Sequence, residues 1–366
     1  MRWRGNRSVS YSFRRVAWPS LEELGDYRHV TGGSVEYAEL SRLKETGSFD
    51  YAGDPPDPHD LLRVYATFRE EGGGMATVAL CTHMVELDAP TVTPWGTTGS
   101  CRTYSVLKAL ESDVVGFPLT VPAGTVAVAR AREVCEAHGL TVEASPSGYA
   151  LASDHTFDAD DDCLAVVNWL LDAAGFGAAA VTRAGAVRMA PYVPPEERPT
   201  VRTFTAGEGS VLWPSVGVDS DWAEAPNTVR ARYSDDACSI VATAVNVDPW
   251  SRSSTASRRR AVSVAEQVDE LAGGTVAEKL ESLKAAALKK LADCSAEVEY
   301  RTIRHPFADV WPGDAIEVVP GGGFRGTVAS MLVRLNAETT CTTKARRFVR
   351  RGLECEVTGE VLWTSE

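Results

Sequence analysis

Residues 61–87, LLRVYATFREEGGGMATVALCTHMVEL, decide the fold class of this chain. Apolar and polar side chains alternate over 62–69, and a largely apolar segment follows the glycines over 75–87. A period of two is typical of half-buried strands, and the glycine run between the two halves favours a tight turn. The stretch therefore predicts a β-hairpin. The residues at its predicted tip are Arg69, Glu70, Gly72, Gly73 and Gly74.

Alternating segments continue on the N-terminal side of this hairpin. VSYSFRRV at 9–16 and VTGGSVEYA at 30–38 both have the pattern of strands separated by polar turns. Residues 1–100 are therefore predicted to form a first β-barrel-like region.

Residues 101–195 change character and are predicted to form an α/β insert. Helical spacing predicts one helix over 104–111 and a second over 126–138, capped by Thr125 and ended by Gly139. The predicted core face of the second helix consists of Val126, Ala129, Val134 and Ala137.

A third, strongly apolar helix is predicted after the acidic run 158–162. Three consecutive carboxylates at 160–162 raise the alternative of a calcium site. The run lacks the alternating oxygen ligands and the glycine of an EF-hand loop, whereas acidic residues stabilise a helix N-terminus. Helix capping is therefore favoured. A hairpin that turns at 184–185 completes the predicted insert.

A proline-rich stretch at 191–200 leads into a second β-barrel-like region, predicted over 196–262. NTVRARYS and CSIVATAVN predict a hairpin over 227–246, with Asp235 and Asp236 at its tip. In this hairpin Val229, Ala231 and Tyr233 are expected to oppose Ile240, Ala242 and Ala244.

Residues 263–366 are predicted to form a helix followed by a C-terminal β region. Thr275 and Glu278 have the spacing of a capping box at the start of a helix over 275–294. The predicted fold class is α+β and mostly β: two tube-like β-barrel regions, an α/β insert and a C-terminal β region.

The charge balance excludes some classes of function. The chain has 366 residues, with 37 basic against 50 acidic side chains and a net charge of −13. This balance opposes binding of nucleic acid through a broad basic surface, and it opposes adhesion to anionic membranes. No apolar run reaches the ~18 residues of a membrane-spanning helix. The basic start of the chain has no apolar segment of a secretory signal behind it.

The eight cysteines and six histidines are scattered along the chain. No two cysteines have the spacing of a zinc site, and the short motifs of nucleotide-binding loops and hydrolases are missing. We therefore expect reduced thiols, no metal site, no cofactor and no catalytic residues. Arg258–Arg260 have the composition of a phosphate contact, although a solvated basic patch is the commoner role of such a run.

The order of these segments resembles the tail hub family of bacteriophages and contractile injection systems, also called baseplate hub or tail-associated proteins. The resemblance covers nearly the whole chain. It is carried by VTGGSVEYAELSRLKETGSFDYAG at 30–53, GTVAVARAREVCEAHG at 124–139, CLAVVNWLLDAAGFGAAAVTRAGAVRMAPYVPP at 163–195, NTVRARYSDDACSIVATAVNVDPWS at 227–251, TVAEKLESLKAAALKKL at 275–291 and FADVWPGDAIEVV at 307–319.

The resemblance implies a structural protein rather than an enzyme. In the family, each chain of a homotrimer contributes two tube-like β-barrel domains, so three chains present six similar faces to a hexameric ring. The implied partners are a distal tail or tail tube protein on one side and a tip fibre, spike or tape measure protein on the other. The implied location is the tail tip of a virion, assembled in the host cytoplasm.

The same resemblance implies that DNA passes through the ring without specific binding. An acidic wall would repel the DNA backbone and leave it mobile, whereas each neutralised phosphate would add affinity. The carboxylates suggested for the wall are Glu36, Glu39, Asp235 and Asp236. The arginines at 14–15 and 258–260 are expected to face partner proteins or the exterior.

Two other functions remain as alternatives for a tail-tip protein. One is an enzyme that degrades the cell wall, with Asp54 or Asp57, or Asp235 with Asp236, as the acid and base of a glycosidase. The other is a carbohydrate-binding module that stacks sugar rings on tryptophans. The candidate stacking residues are Trp213, Trp222 and Trp250.

Overall fold

The chain forms two compact units, each built from two separate segments. The first comprises Met1–Val216 and Thr302–Ala345, and the second comprises Gly217–Arg301 and Arg346–Glu366. The structure, a computed structural model, describes residues 7–70, 73–207, 211–235, 237–268, 275–295, 297–337, 339–349 and 354–364. The division into four consecutive regions at residues 100, 195 and 262 stays a prediction.

Strands dominate the residues that the structure describes. Up to the proline-rich stretch the elements are, in chain order, β1 Arg7–Val16, β2 Glu23–Tyr27, β3 Val30–Ala38, β4 Glu45–Ala52, β5 Leu61–Glu70, β6 Met75–Leu87, β7 Thr91–Thr93, β8 Gly96–Ser105, α1 Lys108–Glu111, β9 Leu119–Val121, α2 Ala127–Ala137, β10 Val142–Ala144, β11 His155–Phe157, α3 Cys163–Ala173, β12 Ala180–Val181 and β13 Val187–Met189. The elements that follow are β14 Thr200–Phe204, β15 Val216–Ser220, β16 Thr228–Ser234, β17 Cys238–Asn246, α4 Thr255–Arg258, β18 Ser263–Gln267, α5 Val276–Cys294, β19 Glu297–Pro306, β20 Ala315–Val318, β21 Phe324–Arg334, β22 Thr340–Val349 and β23 Cys355–Thr364. The mostly-β prediction is confirmed, and closure into two barrels stays a prediction.

The predicted hairpin is β5–β6, and it belongs to the large sheet of the first unit. The strand order there is β19-β22-β21-β3-β4-β8-β6-β5-β1-β2, and β20 pairs with both β21 and β14. Strand β21 reaches the N-terminal part of the sheet by pairing with β3, so that Met331 lies opposite Tyr37. The segment Thr302–Ala345 therefore completes a sheet that the first hundred residues begin.

Aromatic side chains from both segments fill the core of this unit. The rings of Phe68 and Phe307 stack with centroids 5.1 Å apart. Trp311 meets Phe307 and Tyr37 edge-on, at 5.5 Å from each. Since Phe68 and Tyr37 come from the early strands and Phe307 and Trp311 from the late segment, aromatic packing joins the two segments.

The helices of the insert differ in detail from the prediction. The predicted helix over 104–111 is confined to α1, because Tyr104 continues β8 and lies opposite Thr46 and Met84 in the sheet. Helix α2 begins one residue later than predicted, and Val126 with extended backbone takes the N-cap position that was predicted for Thr125.

The buried face of α2 also differs from the predicted one. Its buried residues are Ala127, Val128, Ala131 and Cys135. Three of the four predicted core residues are exposed: Val126, Ala129 and Ala137. The i, i+4, i+8 spacing of Ala127, Ala131 and Cys135 shows that the period was right and the phase was wrong.

The second unit packs α5 onto a four-stranded sheet with the order β18-β16-β17-β23. The predicted capping box between Thr275 and Glu278 is present. Leu283, Ala287 and Leu291 of α5 are fully buried. The register predicted for the β16–β17 hairpin is confirmed: Val229, Ala231 and Tyr233 lie opposite Ala244, Ala242 and Ile240.

Helices α2 and α3 end in the same way. After α2, the Leu140 amide donates to the Cys135 carbonyl and the Gly139 amide to the Glu136 carbonyl, each at 3.0 Å. This is the Schellman pattern, and it requires the left-handed backbone of Gly139, with φ of +72°. Gly175 has the same φ and the same role after α3, so both helices need a glycine there.

The two glycines provide a matched pair of alanine variants. Both Gly139→Ala and Gly175→Ala are expected to lose about 1–2 kcal/mol to left-handed strain. A Cβ on Gly139 would also lie 3.3 Å from Trp18 Nε1, whereas a Cβ on Gly175 would meet nothing within 4 Å. Denaturant unfolding should therefore show a larger loss for Gly139→Ala. Equal losses of unfolding free energy in the two variants would mean that the Trp18 side chain moves aside without destabilising the fold.

Candidate functional site

The predicted tip of the first hairpin is closed by backbone hydrogen bonds. The Glu70 amide donates to the Gly74 carbonyl at 2.8 Å, and the Gly73 amide donates to the Glu70 carbonyl at 2.9 Å. Gly73 has φ of +88°, which explains the glycine at this position. Gly72 lies outside the described residues. Arg69, Gly73, Gly74 and Met75 are exposed, so the tip presents backbone and mixed side chains to its surroundings.

Asp235 at the second hairpin tip is held by its own unit. Its Oδ1 accepts hydrogen bonds from the amides of Ala237 and Cys238, at 2.9 and 2.8 Å. Its Oδ2 accepts from Tyr233 Oη at 2.8 Å and from Lys279 Nζ at 2.5 Å. Asp235 therefore fastens the turn to helix α5. Asp236 lies outside the described residues.

These donors also fix the charge of Asp235. The hydrogen bonds from Lys279 and then Tyr233 hold the pKa of the Asp235 carboxyl well below its ordinary value. A glycosidase general acid needs a raised pKa, so that it carries a proton near neutral pH. Asp235 therefore does not suit the role of the acid.

The other pair of candidate carboxylates lies in a loop of the first unit. Asp54 and Asp57 line one open polar depression together with Arg28 and His29. Asp57 Oδ1 accepts a hydrogen bond from the His59 amide at 2.9 Å, which holds the turn of its own loop. Tyr27 Oη donates to the Asp54 carbonyl at 2.7 Å. The structure thus brings these two residues together, and the Asp57 carboxylate and the Asp54 backbone carbonyl both take part in local hydrogen bonds.

The tryptophans proposed as a stacking platform have different environments. The Arg304 guanidinium lies over the Trp213 ring at 5.0 Å from its centroid. In the second unit, Trp222 is 37% exposed and Trp250 is 84% exposed. Trp95, at the β7–β8 turn of the first unit, is 94% exposed. Trp95 was not among the predicted stacking residues, because an exposed and a buried tryptophan in a turn cannot be distinguished from sequence.

The serine- and arginine-rich stretch after β17 is a braced loop rather than a free basic patch. Arg258 donates to the Ala225 carbonyl at 2.6 Å, and Arg260 to the Ala223 carbonyl at 3.4 Å. Asn227, which is fully buried, donates to the Ser253 and Arg260 carbonyls at 2.9 and 3.0 Å. Asn227 therefore anchors this loop, and Arg258 and Arg260 donate hydrogen bonds to backbone carbonyls of the preceding segment.

The remaining arginines and acids named from the sequence also have partners in the first unit. Arg14 pairs with Asp26, and Arg15 pairs with Asp60 at 2.6 Å. Glu39 pairs with Arg198 at 2.8 Å. Glu36 is exposed on β3.

A buried ion pair that the sequence did not indicate joins the insert to the large sheet. Arg183, from the turn between β12 and β13, bonds to Glu45 on β4. Its guanidinium lies over the rings of Trp311 and Tyr37, 4.1 and 4.6 Å from their centroids. His83 Nε2 lies 3.4 Å from the other oxygen of Glu45. The hairpin turn was predicted at 184–185, but nothing in the sequence identified its target.

All eight cysteines are free thiols, and the five at 81, 101, 135, 238 and 341 are buried. Among the described residues, one group of three side chains has the geometry to hold a metal ion: Asp113, His138 and Cys163. No described helix is both long enough and apolar enough to cross a membrane.

Comparison with known proteins identifies solved structures that share this architecture. No family model matches the sequence, and no curated protein matches it. The structure is similar to the tail protein from Neisseria meningitidis MC58, with a TM-score of 0.60 and 12% identity over 93% of this chain and 96% of that chain. It is also similar to the 43 kDa tail protein of prophage MuSo2 from Shewanella oneidensis, with a TM-score of 0.59 and 10% identity over 94% and 98% of the two chains.

The chain has the fold of phage tail proteins. The tail-protein fold extends over both units and the insert, because each likeness covers more than nine-tenths of this chain. A chain of the Francisella PdpA–VgrG complex shares it with a TM-score of 0.53 and 6% identity, over 96% of this chain and 56% of that chain. The family predicted from the order of short segments is therefore confirmed at the level of the fold.

Proposed function

We propose that this protein is the structural hub of a phage tail tip or baseplate. It joins the hexameric tail tube or distal tail ring to a threefold tip and surrounds the exit channel for DNA. The observation that carries the proposal is the extent of the likeness: two tail proteins match over 93% or more of this chain and 96% or more of their own length. A likeness of that extent involves the whole architecture rather than one common domain.

A homotrimer is the assembly that this role requires. Three copies of a 39.3 kDa chain have a mass of about 118 kDa, which light scattering distinguishes from a monomer. We expect that mass at micromolar concentration, and images of the particle should show a threefold ring. A chain that stays at 39.3 kDa even when mixed with its distal tail protein would contradict the hub proposal.

The partners in the proposal are tail components. A VgrG protein is part of a complex in one structure that shares the fold, and this favours association with a spike-like protein at one face. We propose that the hairpin tips, Arg69–Gly74 and the turn at Asp235 and Asp236, contact such partners. Limited proteolysis of the assembled particle tests this: both tips should be protected there, and cleavage of both would contradict it.

The channel in the proposal has an acidic wall. Three chains carry three times −13, or −39 charges, so the ring can place acidic side chains towards DNA. Among the candidate residues, Glu36 is exposed, whereas Glu39 and Asp235 are engaged by Arg198 and Lys279. A map of the assembled ring with a neutral or basic inner wall would contradict this part of the proposal.

We propose a role without catalysis, in the attachment of tail parts to each other. The low pKa of the Asp235 carboxyl and the turn-forming bonds of Asp57 support this against the glycosidase alternative. A zymogram on purified cell walls checks it, and clearing that depends on Asp54 or Asp57 would contradict it.

A further inference from the structure

Three segments of the insert meet at the start of helix α3. The stretch 113–116 runs alongside 159–163: the Cys163 amide donates to the Asp113 carbonyl and the Val115 amide to the Asp161 carbonyl, both at 2.9 Å. His138, the C-cap of α2, lies against the same point. A carboxylate oxygen of Asp113, a ring nitrogen of His138 and the sulfur of Cys163 all lie within 4.8 Å of one another.

The imidazole of His138 is held in a defined orientation. Its Nδ1 lies 2.7 Å from the Val134 carbonyl, and because a carbonyl only accepts, Nδ1 is the nitrogen that carries the hydrogen. Nε2 faces the cluster 2.9 Å from Asp113 Oδ2, and two lone-pair atoms at this distance need a proton or a cation between them. Metal-ligating histidines are commonly oriented by such a bond from the other ring nitrogen to a backbone carbonyl.

The same geometry does not fit a nucleophilic cysteine. In a Cys–His–Asp triad, the acid contacts one ring nitrogen and the thiol gives its proton to the other. Here the acid Asp113 lies against Nε2, where the thiol of a triad would lie, and a backbone carbonyl rather than an acid holds Nδ1, so the three groups are not in the order of a triad.

The neighbouring Asp162 already has its own partners. Both of its carboxylate oxygens lie 2.6 Å from Arg42 Nη2, and Oδ1 accepts from the Ala165 amide at the start of α3. The acidic run thus supplies the cap of α3 through Asp162, as predicted, and Asp113 belongs to a separate group. The carboxylate of Asp113 is 60% exposed, so an ion from solvent has access to the group.

We propose that Asp113, His138 and Cys163 bind one divalent transition-metal ion of the Zn²⁺ class. One imidazole nitrogen, one thiolate and one carboxylate form a donor set typical of Zn²⁺, and three protein ligands leave a fourth position for water or for a group from a partner. The ion would join the end of α2, the start of α3 and the stretch at 113–116. The expectation of no metal site rested on short ligand spacing, which does not report on ligands 25 residues apart.

Metal binding here releases a proton. The ion displaces that proton because the ligand is the thiolate. Affinity for the metal is therefore expected to rise with pH.

Titration with Co²⁺ under reducing conditions tests the site. Cobalt bound to a thiolate gives a near-ultraviolet charge-transfer band, and we expect it to saturate at one ion per chain. The variant Cys163→Ser should lose the band. The matched controls Cys294→Ser and Cys355→Ser, which change the two other cysteines that are not fully buried, should keep it. His138→Gln and Asp113→Asn should weaken binding by about tenfold or more.

A second measurement keeps the result interpretable if one variant folds poorly. Zn²⁺ should raise the melting temperature of the wild-type chain and of Cys294→Ser, and EDTA should reverse the rise. Asp113→Asn changes an exposed side chain, and Zn²⁺ should raise the melting temperature of this variant by less than it raises that of the wild-type chain. No thiolate band at stoichiometric Co²⁺, or a band that survives in Cys163→Ser, would overturn the proposal. The test does not depend on the hub role, since it uses the isolated chain.

Discussion

Replacing Arg183 with methionine is expected to lower the free energy of unfolding of the first unit by about 3 kcal/mol. Methionine keeps an unbranched apolar side chain against Tyr37 and Trp311 but removes the positive charge. Glu45, whose side chain is 4% exposed, then has a buried carboxylate without its cation. Loss of one partner from a buried ion pair costs about 3–5 kcal/mol. The Arg183 side chain is 27% exposed, so we expect the lower end of that range.

Denaturant unfolding followed by tryptophan fluorescence measures this loss, since Trp311 is in contact with Arg183. The matched control is Arg188→Met, which changes an exposed arginine on β13 and should stay within about 0.5 kcal/mol of wild type. Adding Glu45→Gln to the methionine variant removes the stranded charge, so the double variant should be more stable than Arg183→Met alone. A methionine variant as stable as its control would show that the pair does not hold the insert.

Local sequence patterns predicted the elements whose neighbours are close in the chain. The β5–β6 and β16–β17 hairpins, the capping box at Thr275 and the N-cap at Asp162 depend on contacts within a few dozen residues. The hydrophobic period, the turn residues and the capping residues of these elements all lie close together in the sequence.

Contacts between distant segments account for most of what the sequence did not indicate. A C-terminal β region was predicted, but nothing in its sequence specified that Met331 of β21 would lie opposite Tyr37 and so return the chain to the first unit. The face of α2 that is buried depends on where α3 and β10 lie, so its helical period alone misplaced that face by one residue. Long-range pairing is the general limit of such reasoning.

The candidate sites follow the same division. The hairpin turn around Asp235 was located correctly, but its bond to Lys279 spans 44 residues and gave no local signal. The cluster at Asp113, His138 and Cys163 was likewise invisible, because each ligand alone has the ordinary role of a loop acid, a helix-end histidine or a buried thiol. Short motifs report only sites whose ligands lie on one turn or one hairpin.

Acid is expected to destabilise the first unit through His305. This imidazole is fully buried beside Phe204, and burial, with the nearby charges of Arg202 and Arg7, lowers its pKa to about 4 from an ordinary value of 6.5. Its Nδ1 donates to the Pro306 carbonyl at 2.8 Å, so Nε2 accepts from Thr343 Oγ1 at 2.9 Å. The folded chain therefore holds this histidine neutral.

The pH window follows from those two values. Below pH 6.5 the unfolded chain binds a proton at His305 that the folded chain does not bind until about pH 4, so stability falls as the pH falls through this interval. A difference of about 2.5 pKa units corresponds to a loss of roughly 3 kcal/mol, with no further loss from this group below pH 4.

His305→Gln keeps an amide donor and an acceptor but has no group that titrates in this pH range. Unfolding curves from pH 7 to pH 4 should therefore favour the variant increasingly over wild type, whereas the exposed control His59→Gln should follow wild type throughout. Parallel curves for His305→Gln and wild type would show that the folded chain protonates His305 as readily as the unfolded chain does.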